Sequence, residues 1–231
     1  MKKIFCLLCA SIMIFLLCSC NDNNKYETMK TNISKDYVSE FMELLGGEIE
    51  LGGLSSGLVL DEEHCFNVTP QEVATETDMK IFKFSDSCVS FVVLDNKIYE
   101  LCDSFGGYGF VNAIPCDFDN DGNKDLLVAS SWGSGMHRSI ISVFNSVTKK
   151  STVIYDTSYT DTPNTDLIVS RSSASLFTDI PDIDEKLYFS VLSVKIDVEN
   201  NNLANLSYVV DDIEGHIEVK DGVPTFIPYQ K

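Results

Sequence analysis

The sequence predicts a mainly β fold, with antiparallel hairpins in a propeller-like or compact sheet assembly and one or two short helices near the N-terminus. Two observations support this prediction. Short apolar runs bounded by turn residues recur from residue 80 onwards, which is the pattern of strands. Between residues 192 and 210, apolar and polar residues alternate on either side of Asn200-Asn201-Asn202, which is typical of a hairpin with one solvent-facing side.

Helical periodicity is confined to the first third of the chain. From Ser34, apolar residues recur at spacings of three and four as far as Leu45, and Gly46-Gly47 then predicts the end of an amphipathic helix. Thr69-Pro70-Gln71-Glu72 combines a capping residue, a first-turn proline and an acidic third position. We therefore expect a second helix of about two turns there.

The predicted strands are short and fill most of the remaining sequence. A long stretch rich in Ser, Thr and Asp, from Asp156 to Ile183, is predicted to be a loop with one weak strand, and a final hairpin turns at Asp221-Gly222. The predicted strands are residues 80–84, 88–94, 97–101, 125–129, 139–144, 152–155, 167–169, 192–198, 204–210, 217–219 and 223–227.

Composition limits the size of the core and the choice of partners. At 231 residues, of which 44% are hydrophobic, the chain can bury one substantial core, and we expect a single domain over residues 33–231. The formal net charge is −18, and so acidic a surface repels phosphate backbones. Nucleic acid is therefore not an expected partner, whereas bound divalent cations would relieve the repulsion between carboxylates.

The N-terminus has the pattern of an export signal. Met1-Lys2-Lys3 precedes an apolar run of 14 residues from Ile4 to Leu17, and small residues follow. An uncleaved membrane anchor is the alternative, because the uncharged span of 17 residues from Ile4 to Cys20 lies at the lower edge of what crosses a bilayer.

The end of this leader indicates where the chain is cleaved. Leu17-Cys18-Ser19-Cys20 resembles the bacterial lipoprotein signal, in which an invariant cysteine follows the cleavage site. The resemblance implies a signal peptide over residues 1–19, lipidation of Cys20, and a location on the extracytoplasmic side of a bacterial cell membrane. Residues 20–32 are mostly polar and are predicted to form a flexible tether.

Four cysteines follow the leader: Cys65, Cys88, Cys102 and Cys116. An even number in an exported chain permits two disulfides. If residues 88–94 pair with residues 97–102 through a turn at Asp95-Asn96, Cys88 and Cys102 lie nearly opposite each other, and a Cys65–Cys116 pair follows by elimination. Four buried free thiols are the alternative, because cysteine is common in apolar cores.

Residues 117–125 have the spacing of a calcium-binding loop. Carboxylates occupy loop positions 1, 3, 5 and 9, and Gly122 occupies position 6, where it lets the backbone turn so that the carbonyl at position 7 reaches the metal. We predict a Ca²⁺ site here, with an acidic surface turn as the alternative. The predicted ligands are the side chains of Asp117, Asp119, Asp121 and Asp125 and the main-chain carbonyl of Asn123.

The flanking residues distinguish between kinds of calcium loop. An EF-hand needs Glu at position 12 between two helices, whereas position 12 here is Val128, inside a predicted strand. Phe105-Gly106-Gly107, the acidic loop and Leu126-Leu127-Val128-Ala129 resemble the FG-GAP repeat of integrin alpha-chain propellers and the related VCBS repeats of bacterial surface proteins. The resemblance covers about residues 101–144 and implies a calcium loop between two strands of a propeller blade.

The number of such repeats limits the predicted topology. The sequence contains one good copy of the loop, and six or seven blades of about 40 to 50 residues each cannot fit in this chain. A four-bladed propeller with degenerate blades, or a compact sheet assembly that contains one blade-like unit, is therefore expected.

A glycine-rich loop, residues 132–138, follows the strand after the acidic loop. It contains the only tryptophan, Trp132, together with His137 and Arg138. These three are candidate ligand-binding residues, because an indole can stack on a sugar and the other two side chains can form polar contacts. The alternative is structural, with Trp132 packed on the core and Arg138 paired with an acidic residue.

The sequence has no motif of known catalytic chemistry. It lacks Gly-x-Ser-x-Gly, His-Glu-x-x-His and a phosphate-binding glycine loop, and calcium held by carboxylates usually braces a loop. We expect a protein that is not an enzyme and that binds a glycan or protein ligand at the cell envelope, with the acidic loop fixing the hairpin that presents Trp132. The alternatives are a carbohydrate-active enzyme and an accessory structural lipoprotein without a small ligand.

Overall fold

The computed structural model describes residues 28–46, 60–102, 106–160, 164–171 and 189–229. These residues form thirteen strands and two short α-helices, which confirms the predicted fold class. No helix among them is long and apolar enough to span a membrane. Cys20 and Phe105 lie outside the described residues.

The helices are α1 (Val38–Leu45) and α2 (Gln71–Glu76), and the strands are β1 (Thr28–Lys30), β2 (Cys65–Asn67), β3 (Lys80–Phe84), β4 (Ser90–Leu94), β5 (Lys97–Cys102), β6 (Gly109–Cys116), β7 (Asp125–Trp132), β8 (Arg138–Asn145), β9 (Lys150–Asp156), β10 (Asp166–Arg171), β11 (Phe189–Val198), β12 (Leu206–Lys220) and β13 (Val223–Pro228).

The strands form three antiparallel sheets. Sheet I has the order β2-β3-β4-β5 and sheet II the order β6-β7-β8-β9, so each strand pairs with its neighbour in sequence. Sheet III has the order β1-β12-β11-β10, and β13 also pairs with β12. The first described strand therefore joins the last ones in a single sheet. None of the three sheets closes into a barrel.

Sheet II lies between the other two sheets, and strand β7 shows this most directly. Leu126 and Val128 belong to the apolar cluster shared with sheet I, whereas Leu127 and Ala129 belong to the cluster shared with sheet III. Both faces of β7 are buried as far as Ser131. This explains why its sequence is a continuous apolar run instead of an alternating one.

Sheet III meets sheet II along β10, an edge strand of sheet III. Side chains of sheet II form hydrogen bonds with the main chain of β10 there. Asn112, beside a bulge in β6, donates from Nδ2 to the carbonyl of Val169 at 2.7 Å and accepts the N–H of Val169 at 3.1 Å. Ser139 Oγ accepts the N–H of Leu167 at 3.0 Å. These side chains satisfy main-chain groups that an edge strand would otherwise offer to another chain.

The two helices lie near their predicted positions but begin differently. Helix α1 begins at Val38 because Tyr37 has a left-handed backbone with φ of 63°, and Ser34 pairs with Asn67 in an isolated bridge instead of capping the helix. Phe41 of α1 stacks on Phe82 of sheet I with ring centroids 4.2 Å apart. The helix therefore packs within the fold through its buried residues, Val38 and Phe41.

The predicted tether is wrong at its C-terminal end. Thr28–Lys30 forms strand β1 and pairs with residues 207–209 of β12, and the N–H of Thr31 continues the ladder to Leu206 at 2.9 Å. Residues 20–27 lie outside the described residues. Because residues 20–32 are mostly polar, the sequence pattern did not indicate strand β1. This strand is held by main-chain hydrogen bonds to β12, near the other end of the sequence.

The predicted disulfides are absent from the structure, where Cys65, Cys88, Cys102 and Cys116 are buried free thiols. Cys102 lies opposite Ser90, not Cys88, because the chain is still turning at Cys88, whose φ is 62°. Cys88 Sγ instead donates to the carbonyl of Gly107 at 3.2 Å. Burial raises the pKa of Cys102 to about 12, which keeps this thiol protonated and unreactive.

Candidate functional site

The acidic loop, residues 117–125, joins β6 to β7 and brings three of the predicted metal ligands together. Carboxylate oxygens of Asp117, Asp119 and Asp121 all lie within 4.8 Å of one another. Asn120 and Gly122 have positive φ angles of 57° and 87°. These two positions curl the backbone so that alternate side chains lie on the same side of the loop.

Main-chain bonds within the loop hold these carboxylates in place. Asp117 accepts the N–H of Asp121 at 3.2 Å and that of Gly122 at 3.0 Å. Asp121 in turn accepts the N–H of Asn123 at 2.7 Å. The loop is therefore already folded around the carboxylates, which reduces the entropy that cation binding would cost.

The donor set of Asp117, Asp119 and Asp121 fits a hard divalent cation. Carboxylate oxygens are the ligands of Ca²⁺ and Mg²⁺, whereas softer metals prefer sulfur or imidazole. Ca²⁺ tolerates irregular geometry with about six to eight oxygen ligands, so main-chain carbonyls and water would complete its shell. The negative charges repel one another at this separation, and a cation would relieve that repulsion.

Asp125, another predicted ligand, lies outside this triad and links it to sheet II. It is 2% exposed; it accepts the N–H of Ser146 at 2.7 Å and the side-chain amide of Asn145 at 3.2 Å. The same Asn145 amide donates to Asp119 at 3.4 Å. Burial raises the pKa of Asp125, and the bonds from Ser146 oppose that effect. Sequence reasoning missed Asn145 and Ser146, because no local pattern marks a contact across about 20 residues.

The glycine-rich loop of residues 132–138, the Trp132 loop, lies at the end of β7 opposite to the acidic loop. This strand has eight residues, so its ends are about 23 Å apart. In an antiparallel meander, successive connections alternate between the two ends of the sheet. The expectation that the acidic loop fixes the Trp132 hairpin is therefore wrong: its contacts through Asp125 are with the turn between β8 and β9.

Within the Trp132 loop, the indole packs on a neighbouring strand. Trp132 pairs with Arg138 across the hairpin, and the Arg138 guanidinium lies 5.2 Å from the centre of the indole ring. This cation–π contact occupies one face of the ring. Trp132 and Arg138 are each partly exposed, so the pair remains within reach of a ligand.

His137 adjoins two residues that sequence reasoning did not select. Its Nδ1 lies 3.9 Å from Asp166, and its ring meets that of Tyr108 edge to face at 4.5 Å. Burial raises the pKa of Asp166, and His137 partly opposes that effect. The Ser131 hydroxyl donates to Asp166 at 3.3 Å instead of to His137, so these groups do not have the order of a serine nucleophile with its base.

Gly106 and Gly107, which precede β6, allow the chain there to lie close to the Trp132 loop. Gly106 forms a parallel bridge with Gly133, and a Cβ at Gly107 would lie 2.5 Å from the Cα of Trp132. Both glycines have φ near 70°, at 67° and 69°. Gly106 and Gly107 are part of the FG-GAP-like motif, and here they pack against the start of the Trp132 loop.

No protein family, curated protein or solved structure matches this chain. The likenesses to FG-GAP and VCBS repeats and to a lipoprotein signal therefore depend on the residues of this chain. The acidic loop, the Trp132 loop and Cys20 are the features on which a function can be proposed.

Proposed function

We propose that this chain is a lipid-anchored extracytoplasmic protein whose calcium-braced β domain binds a glycan or protein ligand at the cell envelope. The observation that carries the proposal is the acidic triad of Asp117, Asp119 and Asp121, whose oxygens lie within 4.8 Å of one another. Its oxygen donors suit Ca²⁺, which reaches concentrations outside the cell that weak sites can bind.

The cation would act as a brace at one end of sheet II. The side-chain amide of Asn145 donates to Asp119 of the triad and to Asp125. Asp125 in turn accepts the main-chain N–H of Ser146. Gly222, in the turn between β12 and β13, also lies against Asp119, because a Cβ there would be 3.4 Å from the Asp119 Cα. Calcium would therefore stabilise a point where turns of sheets II and III meet the acidic loop.

The ligand would bind at the other end of sheet II. Trp132, His137 and Arg138 gather there, beside Tyr108 and Asp166. An aromatic face with adjacent charged and polar groups suits a sugar or a polar peptide. The role assigned to these residues is binding without turnover.

The anchor would keep this domain close to the membrane. Cys20 precedes Thr28, the first residue of β1, by eight positions, and so short a stretch spans at most about 28 Å. Replacement of Cys20 by Ala should release the protein from membranes into the soluble extracytoplasmic fraction, whereas Cys18→Ala should leave it membrane-bound. Membrane retention of the Cys20→Ala protein would refute the lipid anchor.

The binding role is tested separately from the anchor. Glycan-array and pull-down measurements should detect a ligand of the wild-type chain whose binding falls in Trp132→Ala but not in Tyr159→Ala, because Tyr159 is 89% exposed and lies outside the loop. If Trp132→Ala lowers thermal stability and leaves ligand binding unchanged, the indole has a packing role and this site is not the ligand site.

A further inference from the structure

Residues 106–109, which lead into β6, lie directly against the Trp132 loop. Gly106 pairs with Gly133 in an isolated parallel bridge. A Cβ at Gly107 would lie 2.6 Å from the main-chain nitrogen of Trp132, so the two main chains are in contact there. The position of the indole therefore depends on where residues 106–109 lie.

The same segment contains Tyr108, a second aromatic residue of the proposed ligand site. Its ring meets that of His137 edge to face, with the ring centroids 4.5 Å apart, and its side chain is partly exposed. A displacement of residues 106–109 would therefore move Tyr108 and change the packing of Trp132 at the same time.

Cys88 holds this segment from the side of sheet I. Its Sγ donates to the carbonyl of Gly107 at 3.2 Å, and the residue is only 3% exposed. Burial raises the pKa of Cys88, so the sulfur keeps at neutral pH the proton that it donates. A main-chain group of residues 106–109 is thus tied to the turn between β3 and β4.

The backbone at Cys88 is itself fixed, which gives the thiol a defined position. Cys88 has a φ of 62°, and its carbonyl accepts the hydroxyl of Ser90 at 3.0 Å. Gly109 packs against the same carbonyl, because a Cβ there would lie 2.1 Å from the oxygen. The N–H of Phe110 donates to the Ser90 hydroxyl at 3.4 Å. The turn between β3 and β4 therefore contacts both the start of β6 and the segment before it.

We propose that Cys88 is a positioning residue of the ligand site, whose thiol holds residues 106–109 so that Tyr108 and Trp132 face the ligand together. This inference rests on the proposed function, which assigns these two aromatic residues to ligand binding. Cys88 does not touch the ligand, because it is buried and acts through Gly107. Sheet I thereby influences a site whose assigned residues all lie outside it.

Trp132 is the only tryptophan of the chain, so its fluorescence reports on this site directly. Acrylamide quenching of that fluorescence is compared in wild type, Cys88→Ala and Cys88→Ser, under conditions where circular dichroism shows each protein to be folded. Cys88→Ala should raise the quenching constant about twofold, because loss of the bond to Gly107 lets the loop open more often. Cys88→Ser should stay near the wild-type value, because the hydroxyl retains a donor.

Cys65→Ala is the matched control. Cys65 is also a buried free thiol of sheet I, but it packs in the cluster that contains Val38 and Phe41 of α1. Its replacement should lower the melting temperature and leave the quenching constant unchanged. A quenching constant in Cys88→Ala no higher than that in Cys65→Ala would overturn the positioning role. If Cys88→Ala does not fold, Cys88→Ser decides: a wild-type quenching constant supports the proposal, and a raised one contradicts it.

The quenching measurement uses acrylamide alone, so it separates this inference from the proposed function. If the glycan array and the pull-down find no ligand of wild type while Cys88→Ala still shows the raised quenching constant, the proposed function fails and the positioning of Trp132 by Cys88 stands. If wild type binds a ligand but Cys88→Ala and Cys65→Ala give equal quenching constants, the inference fails and the proposed function stands.

Discussion

The carboxylate of Asp125 accepts the main-chain N–H of Ser146 at 2.7 Å, which joins the acidic loop to the turn between β8 and β9. Asn145 extends this link to Asp119. The acidic loop is therefore connected to one end of sheet II, and Trp132 lies at the other end of the same strand. In the proposed function, the metal site and the ligand site are thus on opposite ends of one sheet.

Asp125 should contribute to stability even without a metal. In EDTA, Asp125→Ala should lower the free energy of unfolding by about 2 to 3 kcal/mol, because it removes a buried side chain and leaves the partly buried N–H of Ser146 without its acceptor. Asp121→Ala should cost only about 0.5 kcal/mol under the same conditions, because Asp121 is exposed. Urea unfolding measures both values, and equal losses would contradict the separate role of Asp125.

Asn112 should be a stabilising contact between sheets II and III. Asn112→Leu should destabilise the protein by about 2 to 3 kcal/mol, because the N–H and carbonyl of Val169 both lose their partner. Asn32→Leu is the control, because Asn32 is exposed. A loss no larger than that of the control in chemical denaturation would show that β10 does not need this amide.

Lys83 should make the protein less stable at neutral pH than at alkaline pH. Its side chain is 1% exposed and donates to the carbonyl of Phe110 at 3.0 Å, and burial lowers its pKa from 10.5 to about 8. The folded state therefore binds this proton more weakly than the unfolded state. The resulting cost, about 3 kcal/mol, is fully present below pH 8 and disappears as the pH rises from 8 towards 10.5.

Replacement of Lys83 by Met should remove that cost. Lys83→Met should raise the free energy of unfolding at pH 7 by about 1 to 3 kcal/mol, because a buried charge is exchanged for an apolar chain of similar length. The difference between variant and wild type should shrink as the pH rises above 8, which urea unfolding at several pH values measures. A Lys83→Met protein that is less stable than wild type at pH 7 would indicate that the ammonium is a net stabilising group.

The contact between Trp132 and Arg138 should be weak but measurable. A double-mutant cycle with Trp132→Ala and Arg138→Ala should give a coupling energy of about 0.5 to 1 kcal/mol, as expected for a partly exposed cation–π pair. Thermal or urea unfolding of the four proteins provides the cycle. A coupling energy near zero would mean that Arg138 does not hold the indole in place.

Local turn chemistry explains which strands could be predicted. Strand β3 matches its predicted bounds, Lys80–Phe84, and the β4–β5 turn lies at Asp95 and Asn96, both with φ of 54°. Strand β6 was missed because it contains Asn112 and Pro115, which do not fit a strand pattern. Its position at the edge of sheet II explains why it tolerates proline, since an outward-facing position needs no N–H.

The candidate sites divide in the same way. The spacing of Asp117, Asp119 and Asp121 identified the triad, because ligands two residues apart converge through local backbone geometry. The partners of Asp125 and His137 come from other strands, so sequence spacing carries no signal for them. The expected Cys88–Cys102 pairing failed because a bulge after Ser90 sets the register, and a strand register shift of this kind cannot be read from cysteine positions.

Calcium titration of the purified full chain after removal of metals with EDTA tests the central claim most directly. Wild type should show one saturable site and a higher melting temperature in Ca²⁺, because a ligand that binds only the folded state stabilises it. Asp119→Ala and Asp121→Ala should lose both effects, while Asp211→Asn, which replaces an exposed acid paired with Lys195 at 3.7 Å, should retain them. The absence of a saturable site in wild type, or equal calcium affinity in the triad variants, would contradict the calcium brace.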